Sequence, residues 1–108
     1  MNAFEVLAEP ARRRILDLVR EDEKSVGELV TSRAMSQPAV SKHLRVLREE
    51  GFVEARVDGQ KRLYQMKPPA LAEVEAWLEP YRRLWAERLD GLARYLEETQ
   101  AEESRKSD

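Results

Sequence analysis

Residues 36–66 constrain this chain more than any other stretch, because one helix with marked ends runs directly into one hairpin. Ser36 is a good N-cap, and Pro38 falls in the first turn, where a missing N–H does no harm. Val40, Leu44 and Leu47 recur at i, i+4, i+7 and so share a face, which leaves Gln37, Ser41, Lys42, Arg45 and Arg48 on the other. Gly51 is placed as the left-handed C-terminal cap, with Phe52 folding back onto the helix. The spacing predicts a helix over 37–50. Residues 53–57 and 62–66 then alternate as strands about Asp58-Gly59. A four-residue tip, Asp58-Gly59-Gln60-Lys61, pairs Val53 with Met66 and Ala55 with Tyr64 and gathers the apolar side chains on one face. A three-residue loop would send Tyr64 and Met66 to the opposite face, so burial selects the first register.

Upstream, residues 2–8 read as a short helix with Phe4 and Leu7 on one side. Pro10 opens a second helix over 10–21, with Ile15, Leu16, Leu18 and Val19 as its apolar stripe. Arg12, Arg13 and Arg14 stand at its start, where ion pairing with Glu9 or Asp17 and contact with phosphate are both open. The run Glu21-Asp22-Glu23-Lys24 ends it. Ser25-Val26-Gly27-Glu28 is a capping box that opens a helix over 26–33, and Ala34-Met35-Ser36 links that helix to the next. Downstream, Leu71, Val74, Leu78, Tyr81, Trp85, Leu92 and Tyr95 recur at helical steps over 69–98. Pro80 is expected to kink or split that helix, and the polar residues 99–108 to form a disordered tail.

The length fits one domain, 1–98. With 37% charged residues and 6% aromatics, a chain of 108 residues would complete its burial by pairing with a second copy. No cysteine and a single histidine exclude disulfides, thiolate metal sites and multi-histidine sites. No apolar run approaches ~18 residues and no signal pattern opens the chain, so a cytoplasmic protein without a membrane partner is expected. The formal net charge of −2 is unevenly placed. Residues 1–32 carry net −2, residues 33–67 net +4 and residues 68–108 net −4. A basic block on an otherwise acidic chain is a footprint for phosphate.

Three helices, a short link, a fourth helix and a two-stranded hairpin follow the order of a winged helix-turn-helix. The class is mainly α with a two-stranded β-hairpin wing. Residues 26–50 form the helix-turn-helix and 53–66 the wing. A recognition helix presents polar residues at its N-terminal part to base edges, where Gln suits adenine and Arg suits guanine. Ser36-Gln37-Pro38-Ala39-Val40-Ser41-Lys42-His43-Leu44-Arg45-Val46-Leu47 resembles the recognition helix of ArsR/SmtB-family transcriptional regulators. So do the approach Leu7-Ala8-Glu9-Pro10-Ala11-Arg12-Arg13-Arg14-Ile15-Leu16, the step Glu50-Gly51-Phe52-Val53 and the wing Arg56-Val57-Asp58-Gly59-Gln60-Lys61-Arg62-Leu63-Tyr64.

The resemblance covers residues 3–66 and implies a homodimeric repressor on an inverted-repeat operator in double-stranded DNA. It carries DNA contact to Ser36, Gln37, Ser41, Lys42, His43 and Arg45, and in the wing to Arg56, Gly59, Lys61 and Arg62. First and last helices would pair across a two-fold axis, through Phe4, Leu7, Leu71, Val74, Leu78, Tyr81, Trp85 and Leu92. Many members sense metals through cysteines or histidines. Here residues 26–30 hold no Cys and 69–98 no His, so the chain resembles the branch without metal ligands, and no cofactor is expected. A small-molecule effector of unknown kind, a hard-cation sensor and a winged-helix module that binds protein instead of DNA are the alternatives. No nucleophile–base set and no phosphate-binding Gly-rich loop is present, so no enzyme is expected.

Overall fold

The computed structural model describes residues 1–33 and 35–106, with the backbone alone at Arg33. Ala34 of the predicted link and residues 107–108 of the predicted tail lie outside the described residues. In order come α1 (Ala3–Ala8), α2 (Pro10–Glu21), β1 (Lys24–Ser25), α3 (Val26–Arg33), α4 (Gln37–Glu49), β2 (Val53–Asp58) and β3 (Lys61–Met66). A 3-10 turn (Pro68–Leu71) and α5 (Ala72–Lys106) follow. Contacts gather the chain into two units, Met1–Val74 and Glu75–Asp108.

In the first unit, most helix starts and two helix ends find a partner for their free backbone groups. Asn2 Oδ1 accepts from Glu5 N at 2.8 Å and opens α1. Glu9 Oε1 accepts from Ala11 N at 3.3 Å and opens α2, with Pro10 next to it. The capping box forms as spaced: Glu28 N donates to Ser25 Oγ (3.3 Å) and Ser25 N to Glu28 Oε1 (3.1 Å). The bond from Ser25 N, joined by one from Ser25 Oγ to the same Oε1 (3.1 Å), holds the Glu28 carboxyl below its ordinary pKa. The six residues of α1 are too few to be stable alone. Arg12 Nε donates to Val6 O at 2.7 Å and Arg12 Nη2 to Glu5 O at 3.1 Å, while Arg13 Nη1 donates to Leu7 O. Two guanidiniums thus serve the open carbonyl end of α1, a use that neither ion pairing nor phosphate contact anticipates.

α4 ends as its glycine predicts. Gly51 has φ +80°, Gly51 N donates to Arg48 O (3.1 Å), and Phe52 N donates to Leu47 O (2.7 Å). These are the two bonds of a Schellman cap, and Phe52 folds back into the core. That core is built from Val6, Ile15, Val19, Leu29, Val40, Leu44, Leu47, Phe52 and Val53, one contribution or more from every helix of the unit and from β2. Ala70, Leu71 and Val74 pack against it as partly buried residues. In α1 it is Ala3 and Val6 that are buried, and Phe4 of the predicted side is exposed.

The hairpin register is the one burial selects, with Val53 opposite Met66 and Ala55 opposite Tyr64. The strands run one residue further at each side than predicted, so that Asp58 pairs with Lys61. The loop is therefore Gly59-Gln60, two residues instead of four, and Gly59 has the positive φ (+64°) that a two-residue hairpin turn demands. The sheet also has a third strand. β1 pairs antiparallel with β3, Lys24 opposite Tyr64 and Ser25 opposite Leu63, giving the order β1-β3-β2. The acidic run that ends α2 thus leads into the sheet.

α5 is one continuous helix with Pro80 inside it, neither split at 78–80 nor followed by a disordered segment at 99–106. Pro80 leaves the carbonyl of Ala76 without its helical donor, and residue 76 is exposed. Residues 99–106 are rich in Ala, Glu, Gln, Arg and Lys, all good helix formers. None of the described residues of α5 is buried, although Trp77, Tyr81, Leu84, Trp85, Leu89, Leu92, Tyr95 and Leu96 are large and apolar. At 100° per residue they fall in a stripe roughly 140° wide. Trp77 and Tyr81 stack along it with ring centroids 4.9 Å apart. No helix among the described residues is long and apolar enough to cross a membrane.

Candidate nucleic-acid interface

α4 is anchored by Val40, Leu44 and Leu47, which are fully buried. The opposite face, with Gln37, Ser41, Lys42, Arg45 and Arg48, is exposed along its length. Ser36 starts the helix: its Oγ accepts from Ala39 N at 3.2 Å, so its first role is to cap. Arg45 Nε donates to Glu49 Oε1 at 3.2 Å one turn on.

The hairpin joins this face. Ser41, Arg45, Arg48 and Glu49 of α4 line one groove together with Arg62 and Tyr64 of β3. The wing cation Arg62 therefore stands beside the basic end of α4. Lys61 lines another groove, with Lys24 and Ser25 of β1 and Gly27, Glu28, Thr31 and Ser32 of α3. Gly59 is exposed at the hairpin tip.

Two candidates are placed elsewhere. Arg56 is held by Glu23: Arg56 Nε donates to Glu23 Oε2 at 2.9 Å, and Arg56 Nη2 donates to Glu23 Oε1. This two-pronged pair keeps the Glu23 carboxyl below its ordinary pKa and raises that of Arg56. It ties β2 to the segment between α2 and β1, and Arg56 does not line the groove of Ser41, Arg45 and Arg62. His43 lies on the inward side of α4, half-buried, with Nδ1 buried and without a hydrogen-bond partner among the described residues. Burial lowers its pKa; Glu9 opposes this, while Arg12, Lys42 and Arg14 add to it. The structure thus brings Gln37, Ser41, Lys42, Arg45 and Arg62 to one exposed surface and separates His43 and Arg56 from it.

Sequence reasoning missed Tyr64 and Glu49 as groove residues and Lys24, Thr31 and Ser32 as neighbours of Lys61. The i, i+4 spacing of Arg45 and Glu49 was a usable signal. The others meet only through the β1–β3 pairing. Among the described residues no group of three or more His, Asp or Glu is arranged to hold a metal ion.

The model of the arsR family of bacterial regulatory proteins matches residues 9–55, from the N-cap of α2 to the middle of β2. The chain is 36% identical over 95 residues to the HTH-type transcriptional regulator Rv2034 of Mycobacterium tuberculosis, which covers 88% of this chain and 86% of that one. Among solved structures, a possible transcriptional regulator for arsenical resistance is 38% identical and aligns with a TM-score of 0.68 over 81% of this chain and 96% of that one. The homodimeric winged helix-turn-helix DNA-binding domain Mb0332 of Mycobacterium bovis is 28% identical, with a TM-score of 0.61 over 75% of each chain. The chain belongs to the arsR family of bacterial regulatory proteins, and its winged helix-turn-helix is the DNA-binding body of a transcriptional regulator.

Proposed function

We propose that this regulator is a homodimeric repressor that occupies an inverted-repeat operator in double-stranded DNA. The observation that carries the reading is the exposed polar face of α4, held rigid by a buried apolar face and continued by Arg62 of the wing. A helix presented in this way fits the major groove. Gln37 and Arg45 are the base readers, for adenine and guanine; Ser41 and Lys42 contact base or phosphate beside them. Arg62 and Lys61 hold phosphate along the wing, and Gly59 lets the hairpin tip approach the backbone closely.

The apolar stripe of α5 is the dimer contact, through Leu78, Tyr81, Trp85 and Leu92, and Phe4, Leu7, Leu71 and Val74 of the first unit are further candidate dimer residues. A face this large and apolar is rarely left open to water. Two copies related by a two-fold axis present two α4 helices, which makes the operator an inverted repeat. Repression follows from occupancy: polymerase cannot use a promoter that is covered. The protein acts by binding and not by turnover, in the cytoplasm with the DNA.

The test is a selection of genomic duplex fragments by the metal-stripped full chain at moderate salt. The expected product is an inverted repeat with half-site centres about one helical turn, ~34–36 Å, apart. Failure to enrich any sequence, with or without divalent ions, would refute the reading.

A further inference from the structure

We propose that Glu49 is a positioning residue for base readout: it holds Arg45 by Nε and leaves the terminal fork of the guanidinium to meet guanine. The proposal rests on α4 being the recognition helix, as inferred above.

The geometry is on one helix face. Arg45 Nε donates to Glu49 Oε1 at 3.2 Å, one turn toward the C-terminus, and both side chains are exposed, 79% and 61%. An exposed pair of this kind adds little to folding. A carboxylate lining a groove with Arg45, Arg48 and Arg62 also repels phosphate, so it weakens binding to DNA of any sequence. What it supplies instead is orientation. Arginine has five N–H donors. With Nε engaged, the four on Nη1 and Nη2 remain, and they match the O6 and N7 acceptors that guanine shows in the major groove. An unheld arginine at this exposure samples many rotamers and meets phosphate as readily as base. Glu49 thus trades general affinity for discrimination.

The experiment measures binding to the selected operator and to single-base variants of it, for the wild-type chain, Arg45→Ala, Glu49→Gln, Glu49→Ala and the double alanine variant. Arg45→Ala should lower the preference for guanine at one position of each half-site by roughly 5- to 150-fold. Glu49→Ala should lower the preference at that same position by about twofold or more and have no further effect on it in the Arg45→Ala background. Glu49→Gln, whose amide oxygen still accepts from Nε, should keep the preference. Both Glu49 variants should tighten binding to an unrelated duplex, since both remove the charge. Unchanged far-UV circular dichroism separates these effects from loss of helix.

If Arg45→Ala narrows the preference and Glu49→Ala does not, the positioning role is refuted while the recognition helix stands. If Glu49→Ala still changes the preference in the Arg45→Ala background, Glu49 touches a base itself and the proposal falls. If the wild-type chain prefers no sequence, the recognition-helix reading fails and this proposal fails with it.

Discussion

Replacing Gly51 by alanine isolates the backbone strain at the joint between α4 and the wing. Gly51 has φ +80°, and a Cβ built there meets nothing within 4 Å. Steric overlap therefore contributes nothing, and only the left-handed conformation matters. For an L-residue with a Cβ that conformation costs about 1–2 kcal/mol. Alanine also has less freedom than glycine in the unfolded chain, which returns about 0.4–1 kcal/mol. The net expectation is a loss of about 1 kcal/mol, since the two Schellman bonds to Arg48 and Leu47 can persist. Gly51→Asn should lose less, because asparagine tolerates the left-handed region. Urea unfolding followed by far-UV circular dichroism measures this. All variants must be compared at one protomer concentration, since association adds to stability. A Gly51→Ala chain more stable than wild type would refute the left-handed cap. A loss beyond ~3 kcal/mol would refute the open space around the Cβ, because strain alone does not reach it.

Lys61→Ala should weaken binding to operator and unrelated duplex alike and reduce the salt slope by about one, read from titrations at several salt concentrations. His43 titrates below its ordinary value in the folded chain, mainly through burial. Between that lowered pKa and 6.5 the unfolded chain binds the proton more readily, so stability should fall as pH drops through this window. His43→Gln should remove that part of the pH dependence in urea unfolding, and an unchanged slope would contradict it. Leu92→Glu places a charge on the stripe of α5. Sedimentation equilibrium at micromolar concentration should show a dimer for the wild-type chain and a monomer for the variant.

The legible parts of this fold were local. Ser36, Pro38 and Gly51 bracket α4 because caps depend on residues within one turn of themselves. The hairpin register followed from the period of two, which a one-residue slip would invert. β1 escaped because two residues carry no period. The pairing of Arg56 is not legible in the sequence, because its partner, Glu23, stands 33 residues away and meets it only after the sheet closes. The partners of Arg12 and Arg13 are hidden for the same reason: the carbonyls they serve belong to the preceding helix, and only the packing of α1 on α2 brings them together. His43 follows Lys42 in sequence, but one residue on a helix is a turn of 100°, which carries it to the inward side. The helix at 99–106 carries no apolar stripe to mark it, and propensity alone sustains it.

The most direct test of the central claim compares two duplexes of equal length, the selected inverted repeat and a scrambled version, titrated with the metal-stripped chain at physiological salt. The account predicts two chains per operator duplex and binding at least ~10³-fold tighter than to the scrambled one. Equal affinity for the two would contradict it, because a surface that holds only phosphate cannot tell them apart.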